Sequence, residues 1–185
     1  MTTFAEFRVN RATELLTQER CNGGGTDLHP GLNYIGGLLQ LIDKAKPLTV
    51  LEIGSHIGVS TECFLLGCKR VVAVDSWGHN WAPAYDWFMR RVGAYPNLEV
   101  VRGSSPEILT QFKDNEFDLV YIDGEHDYDP VVWDIHGSQL LAKHWIAGHD
   151  YYTTPNGPND VHRAVNELLG EPTEVFIDTS WLIKK

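Results

Sequence analysis

Val50-Leu-Glu-Ile-Gly-Ser-His-Ile-Gly-Val-Ser-Thr61 carries the spacing Glu52-x-Gly54-x-x-x-Gly58 between two apolar segments. Leu48–Ile53 reads as a buried strand and Val59–Leu66 as a helix. A glycine turn between them lets a ligand approach the backbone and aims it at a helix N-terminus. A dinucleotide fingerprint wants glycine where the pyrophosphate passes, and His56 stands there. The loop therefore disfavours NAD and suits a nucleoside without a pyrophosphate. Glu52 beneath it suits an ammonium group, and Ser60 at the helix start can donate to a carboxylate.

On either side, strand and helix alternate. A polar helix is expected over 3–20, broken by the glycine run after Cys21, and a second over Asn33–Lys46, stopped by Pro47. Beyond the loop, strands are expected at Arg70–Asp75, Leu98–Val101, Phe117–Ile122 and His144–Tyr151. Helices are expected at Ala84–Val92, Pro106–Phe112, Pro130–Leu141 and Val161–Leu169. This alternation argues for a parallel sheet covered on both faces. Thr173–Ile177 and Trp181–Lys185 are joined by a turn too short for a crossover, so they form an antiparallel hairpin. The expectation is an α/β, Rossmann-like, doubly wound seven-stranded sheet, mostly parallel with a C-terminal antiparallel hairpin. One domain covers 1–185, with 1–30 an N-terminal helix and cofactor-covering segment (including Asp27-Leu-His-Pro30) and 31–185 the core.

Asp75 at the second strand tip, about twenty residues past the glycine turn, can accept both hydroxyls of a ribose. Arg102-Gly103-Ser104-Ser105 offers small polar groups where a nucleobase would lie. The loop, the Asp75 tip and Phe117-Asp-Leu-Val-Tyr-Ile-Asp-Gly-Glu-His-Asp-Tyr128 together resemble class I S-adenosylmethionine-dependent methyltransferases, in particular the family of macrolide, aminocoumarin-sugar and cephalosporin-pathway O-methyltransferases. The resemblance covers roughly residues 30 to 185, and Ile-Asp-Gly-x-His is its most specific part. It implies S-adenosylmethionine as cofactor, with Glu52, Gly54, Ser60, Asp75 and Ser105 on cofactor-binding positions. Ser55, His56, Ser76, Ser104 and Asp123 complete the expected cofactor-binding set.

Asp123 and Asp150 end strands that neighbour one another in the class I order, about 4.8 Å apart. Two carboxylates so close need a shared proton or a cation, and Mg²⁺ or Mn²⁺ takes such oxygen ligands. The resemblance implies a divalent metal held by Asp123 and a pair at the next strand end, here His149-Asp150; His149 departs from the usual oxygen ligand there. The competing reading has Asp123 capping its turn and Asp150 bonding loop backbone. Glu125 is expected as the base that takes the acceptor's proton, with His126 second. Trp77, Trp81, Tyr85 and Trp87 either wall a ligand or pack the following helix.

With 25 acidic and 15 basic residues the formal net charge is −10, a field that opposes nucleic acid and anionic membranes. Three cysteines without a CxxC pair, and no apolar leader or run of about 20 residues, point to a soluble cytoplasmic protein. The expected partner is a small-molecule acceptor, a sugar or phenol hydroxyl, with the acceptor site either open or completed in a homo-oligomer. Three rival readings are a metal-independent methyltransferase acting on nitrogen or a peptide group, a non-catalytic nucleotide-binding or scaffolding domain, and an NAD-dependent oxidoreductase, which His56 disfavours.

Overall fold

The computed structural model describes residues 35–78, 82–153 and 157–185. In chain order it runs α1 (Gly36–Ala45), β1 (Thr49–Ile53), α2 (Val59–Gly67), β2 (Arg70–Asp75), α3 (Ala82–Val92), β3 (Leu98–Arg102) and α4 (Ser105–Ile108). There follow β4 (Phe117–Ile122), α5 (Tyr128–Leu141), β5 (Ala142–Gly148), β6 (Tyr152–Thr153), β7 (Gly157–Pro158), α6 (Asp160–Leu169), β8 (Glu174–Val175) and β9 (Trp181–Lys184). The main sheet has seven strands in the order β3-β2-β1-β4-β5-β9-β8. The first five pair in parallel, and β9 enters antiparallel between β5 and β8. The expected architecture is the one observed.

The strands are apolar on both faces because both faces are covered. Val50, Val71, Ala73, Leu119 and Tyr121 point into a core under α1 to α3, with Leu41, Phe64 and Phe88. Leu51, Val72, Val74, Val120 and Ile122 point the other way, against Ile135, Val161 and Val165 of α5 and α6. Period two on each strand thus feeds two cores, the mark of a central parallel sheet. The switch of strand order falls between β1 and β4, and ligands of open α/β sheets bind outside that crevice at the carboxyl edge.

Several boundaries differ from expectation. The fifth strand begins at Ala142 and ends at Gly148, because α5 passes into it without a loop. His149 and Asp150 therefore stand just beyond the strand, and Asp150 takes a left-handed φ of 56°. The segment expected as a helix to Phe112 is a four-residue turn, α4, followed by a 3-10 turn at Leu109–Gln111. The β6–β7 ribbon was not foreseen, having no apolar alternation to announce it. The helix expected over 3–20, the covering segment to Pro30, Cys21 and Trp81 lie outside the described residues.

The hairpin turn reaches back to the start of the described chain. Asp178, 4% exposed, accepts from Leu38 N at 2.7 Å and from Ser180 N at 3.0 Å. One carboxylate thereby fixes the first turn of α1 to the loop between β8 and β9. Asp178→Ala should strand two buried N–H groups and cost about 1.5–3 kcal/mol, since hydrogen bonds to a charged group are worth that much. Urea unfolding at neutral pH measures it; unchanged stability would show the link to be dispensable.

Candidate active site at the carboxyl edge

The glycine turn is built by contacts that only glycine permits. Gly54 has φ 90°, and a Cβ on it would stand 2.0 Å from the carbonyl oxygen of Asp123. The tips of β1 and β4 are joined there, since Asp123 N donates to Ile53 O at 2.8 Å, and Gly54 N ties the same turn to β2 through Val74 O at 2.8 Å. Gly58 closes the turn at φ 82°, its N–H bonded to Ser55 O at 2.7 Å. His56 lies between them at φ 43°, a conformation costly for a side-chain-bearing residue.

Two of the loop's polar contacts were invisible in the sequence. Asp75 accepts from His56 N at 2.8 Å through one oxygen and from Trp77 N at 2.7 Å through the other. It thus fastens the β2 tip to the glycine loop and still has lone pairs to offer a diol, a carboxylate having about four. Trp77 is 3% exposed, packs on Tyr85 and Phe88 at 5.0 and 4.9 Å, and donates its indole N–H to His56 O at 2.7 Å. Trp77 is therefore core and loop anchor, while Trp87 is 51% exposed and does neither. Ser76 and Ser104 are exposed and Ser105 half-buried, each at the carboxyl edge of its strand.

Glu52 is fully buried beneath the turn. The hydroxyls of Ser55, at 2.9 Å, and Thr61 donate to one of its oxygens, and Oε1 has no partner among the described residues. Burial pushes its pKa up to about 7 against the help of the Ser60, Thr61 and Ser55 hydroxyls. Ser60, expected to face a ligand carboxylate, thus leans on Glu52. The folded state keeps this proton up to about pH 7, whereas the unfolded chain releases it near 4.5. The stability it confers is full below 4.5 and lost as pH rises through 7, a change of about 3 kcal/mol at 1.36 kcal/mol per unit. Glu52→Gln should abolish that dependence, so the variant's stability advantage should grow across this window in urea titrations. A constant difference between the two proteins would mean Glu52 is ionised throughout.

Past the tips of β4 and β5 lies a cluster of two acids and two histidines. His126 Nε2 stands 3.1 Å from Asp150 Oδ2 and 3.9 Å from Asp123 Oδ1. His149 Nδ1 stands 3.1 and 4.0 Å from the same two oxygens. The His126 side chain is 57% exposed and that of His149 18%, so His126 stands toward solvent and His149 beneath. Burial raises the Asp123 pKa despite both histidines, and raises that of Asp150 less than His149 and His126 lower it. Burial would lower the His149 pKa, but Asp150 and Asp123 outweigh it and push it up to about 9. His126 is raised too, by Asp123 first, against burial, and then by Asp150.

Two acids are thus matched by two imidazoles whose hold on a proton they strengthen, and a cation could stand where those protons do. One ligand atom each from Asp123, His126 and Asp150 lies within 4.8 Å of the others. Ligands on a six-coordinate ion at 2.0–2.1 Å stand about 3 to 4.2 Å apart, so this set is close to the spread that a divalent ion would need. His126 belongs to this set, and the expected His149 stands equally near the same two carboxylate oxygens. Glu125 is exposed and has no partner among the described residues.

The seven-stranded order with an antiparallel hairpin, the glycine loop and the acidic tips define a class I methyltransferase domain, of the S-adenosylmethionine-dependent kind. A family model described as a methyltransferase domain matches residues 51–151, more than half the chain, and the chain belongs to that family. An O-methyltransferase of Aspergillus hancockii is 33% identical over 110 residues, 57% of this chain and 43% of that protein. A putative O-methyltransferase of a Mycobacterium species (strain JLS) is 26% identical over 144 residues, 76% of this chain and 59% of that one. The matches thus span less than two thirds of these curated relatives. In fold, the chain resembles a Bacillus cereus O-methyltransferase solved with SAH, with TM-score 0.60 at 19% identity, over 97% of this chain and 91% of that one.

Proposed function

We propose that this domain transfers the methyl group of S-adenosylmethionine to a hydroxyl oxygen of a small molecule, a sugar or a phenol, with a divalent ion such as Mg²⁺ or Mn²⁺ held beside the acceptor. The observation that carries the reading is the Asp123–His126–Asp150 cluster at the same sheet edge as the glycine loop and Asp75. The O-methyltransferase relatives favour oxygen as the acceptor atom. Among the described residues no helix is long and apolar enough to cross a membrane, and the net charge of −10 disfavours polyanionic substrates.

Each residue has a part. Glu52 places its open oxygen for the cofactor's ammonium group, and Asp75 takes the ribose hydroxyls. Gly54 lets the cofactor lie on bare backbone, and Ser104 and Ser105 border the nucleobase. Asp123 and Asp150 hold the ion with His126 or His149. A bound divalent ion lowers the pKa of the acceptor hydroxyl and orients it. Glu125 receives the hydroxyl proton as the oxygen attacks the methyl carbon, the carbon–sulfur bond breaks, and its electron pair returns to sulfur, leaving S-adenosylhomocysteine.

Calorimetry on the purified protein should show S-adenosylmethionine or its demethylated product binding in the micromolar range and NAD not binding. Asp75→Ala should weaken the nucleoside by about 1.5–3 kcal/mol for each charged hydrogen bond lost. NAD binding with silence for both methionine nucleosides would overturn the cofactor reading.

A screen of sugars and phenols with labelled cofactor should yield an acceptor whose methylation stops in EDTA and resumes with Mg²⁺ or Mn²⁺. On that acceptor Glu125→Gln should lower kcat by about 10²–10⁴-fold, the usual loss for a general base. Activity that survives EDTA would favour the metal-independent reading. Cofactor binding without turnover on any acceptor would favour a nucleotide-binding domain. Full activity in Glu125→Gln would remove Glu125 as the base.

A further inference from the structure

Asn159 stands where the acid cluster meets α6, and no step of the catalytic scheme uses it. Its side-chain carbonyl accepts from His162 N at 2.8 Å and so caps α6. Its amide nitrogen donates to the Asp150 carbonyl at 2.7 Å. Both ends of one amide are thus engaged, one as donor and one as acceptor. The second bond closes the base of the excursion from Asp150 that carries the β6–β7 ribbon.

Asp150 needs such a tie. Its φ of 56° is left-handed, a conformation that aspartate tolerates better than most residues but that still costs any side-chain-bearing residue free energy. It persists where the surroundings over-determine it. Here three bonds do so: the Trp181 indole holds His149 O at 3.1 Å, Asn159 holds Asp150 O, and Tyr151 N donates to Thr179 O at 3.2 Å. In this conformation Asp150 Oδ2 lies 3.1 Å from both His126 and His149. Relaxing φ to the right-handed region would turn the side chain by roughly 120° about the N–Cα bond and swing it out of the cluster.

Capping alone does not call for asparagine. Serine and aspartate cap as well, and aspartate suits the positive end of a helix better. Serine is too short to reach the Asp150 carbonyl, and aspartate would set an acceptor against it. Asparagine meets both demands.

We infer that Asn159 is a positioning residue for the acid cluster: by holding the Asp150 carbonyl it keeps Asp150 turned toward Asp123 and His126, and so sets the affinity of the cluster for a divalent ion. It touches neither ion nor acceptor. The inference rests on the metal reading, and its test separates the two.

The experiment titrates the whole chain with Mn²⁺ alone, following the loss of the free-ion paramagnetic resonance signal, and measures S-adenosylhomocysteine affinity in parallel. Unaltered protein should bind Mn²⁺, and Asp123→Ala should abolish that binding. Asn159→Ser keeps the cap and loses the donor. It should bind Mn²⁺ about 10-fold more weakly, the lower end of the usual loss when a ligand's outer support is removed, with nucleoside affinity and melting temperature unchanged. Asn159→Ala should lose as much Mn²⁺ affinity and melt lower as well, having lost the cap. Unaltered Mn²⁺ affinity in Asn159→Ser would overturn the inference, as would a parallel fall in nucleoside affinity or melting temperature, the sign of a merely structural residue. No Mn²⁺ binding by unaltered protein, or binding that survives Asp123→Ala, would overturn the metal reading itself, and this inference with it.

Discussion

The place where β1 and β4 end admits no side chain, and the site is organised around that fact. The Asp123 carbonyl lies where a Cβ at residue 54 would be. Glycine at 54 lets the two strand tips close, and closure sets the glycine loop beside the acids that leave β4. The loop's further supports, the Asp75 carboxylate across to His56 and the Trp77 indole onto its carbonyl, extend from the same point. Larger residues at 54 would part the cofactor loop from the acid cluster before any chemistry was touched.

Charge in this site is balanced pairwise rather than left exposed. Burying carboxylates costs several kcal/mol each unless they are paired, and Asp123 and Asp150 are paired by two imidazoles rather than by lysine or arginine. Imidazole differs from those cations because, once neutral, it is itself a ligand. The same four side chains can hold protons in one state and an ion in another with little movement. Glu52 follows a different rule: its hydrogen-bond partners are hydroxyls, and burial strengthens its hold on a proton.

The fold was legible because its information is local. Glycine spacing, an acid at a strand tip and period-two apolar runs such as Val71–Val74 each point to one element, and a short turn before Trp181 forces the hairpin. Boundaries failed where no turn residue marks them: α5 enters β5 at Ala142 with no glycine or proline between. The residues of the acid cluster were legible, but not the partition of roles between His126 and His149, since both reach the same oxygens from different elements. The buried Asp134 of α5 was missed for a plain reason. An aspartate within a helix, beyond the end of the nearest motif at Tyr128, signals nothing until tertiary packing buries it. Asp178 was hidden likewise, because its partner Leu38 lies 140 residues earlier.

The insertion of β9 between β5 and β8 affects the order in which the molecule can be completed. Trp181 on that strand is fully buried, and its indole N–H donates to the carbonyl of His149 at 3.1 Å. During synthesis β1 through β5 can pair as they emerge, yet the backbone that carries His149 and Asp150 has no wall until residues 181–184 arrive. Until then β5 is an apolar sheet edge open to other chains. Until that strand is seated, a chain can have its glycine loop intact and its acid cluster unsupported.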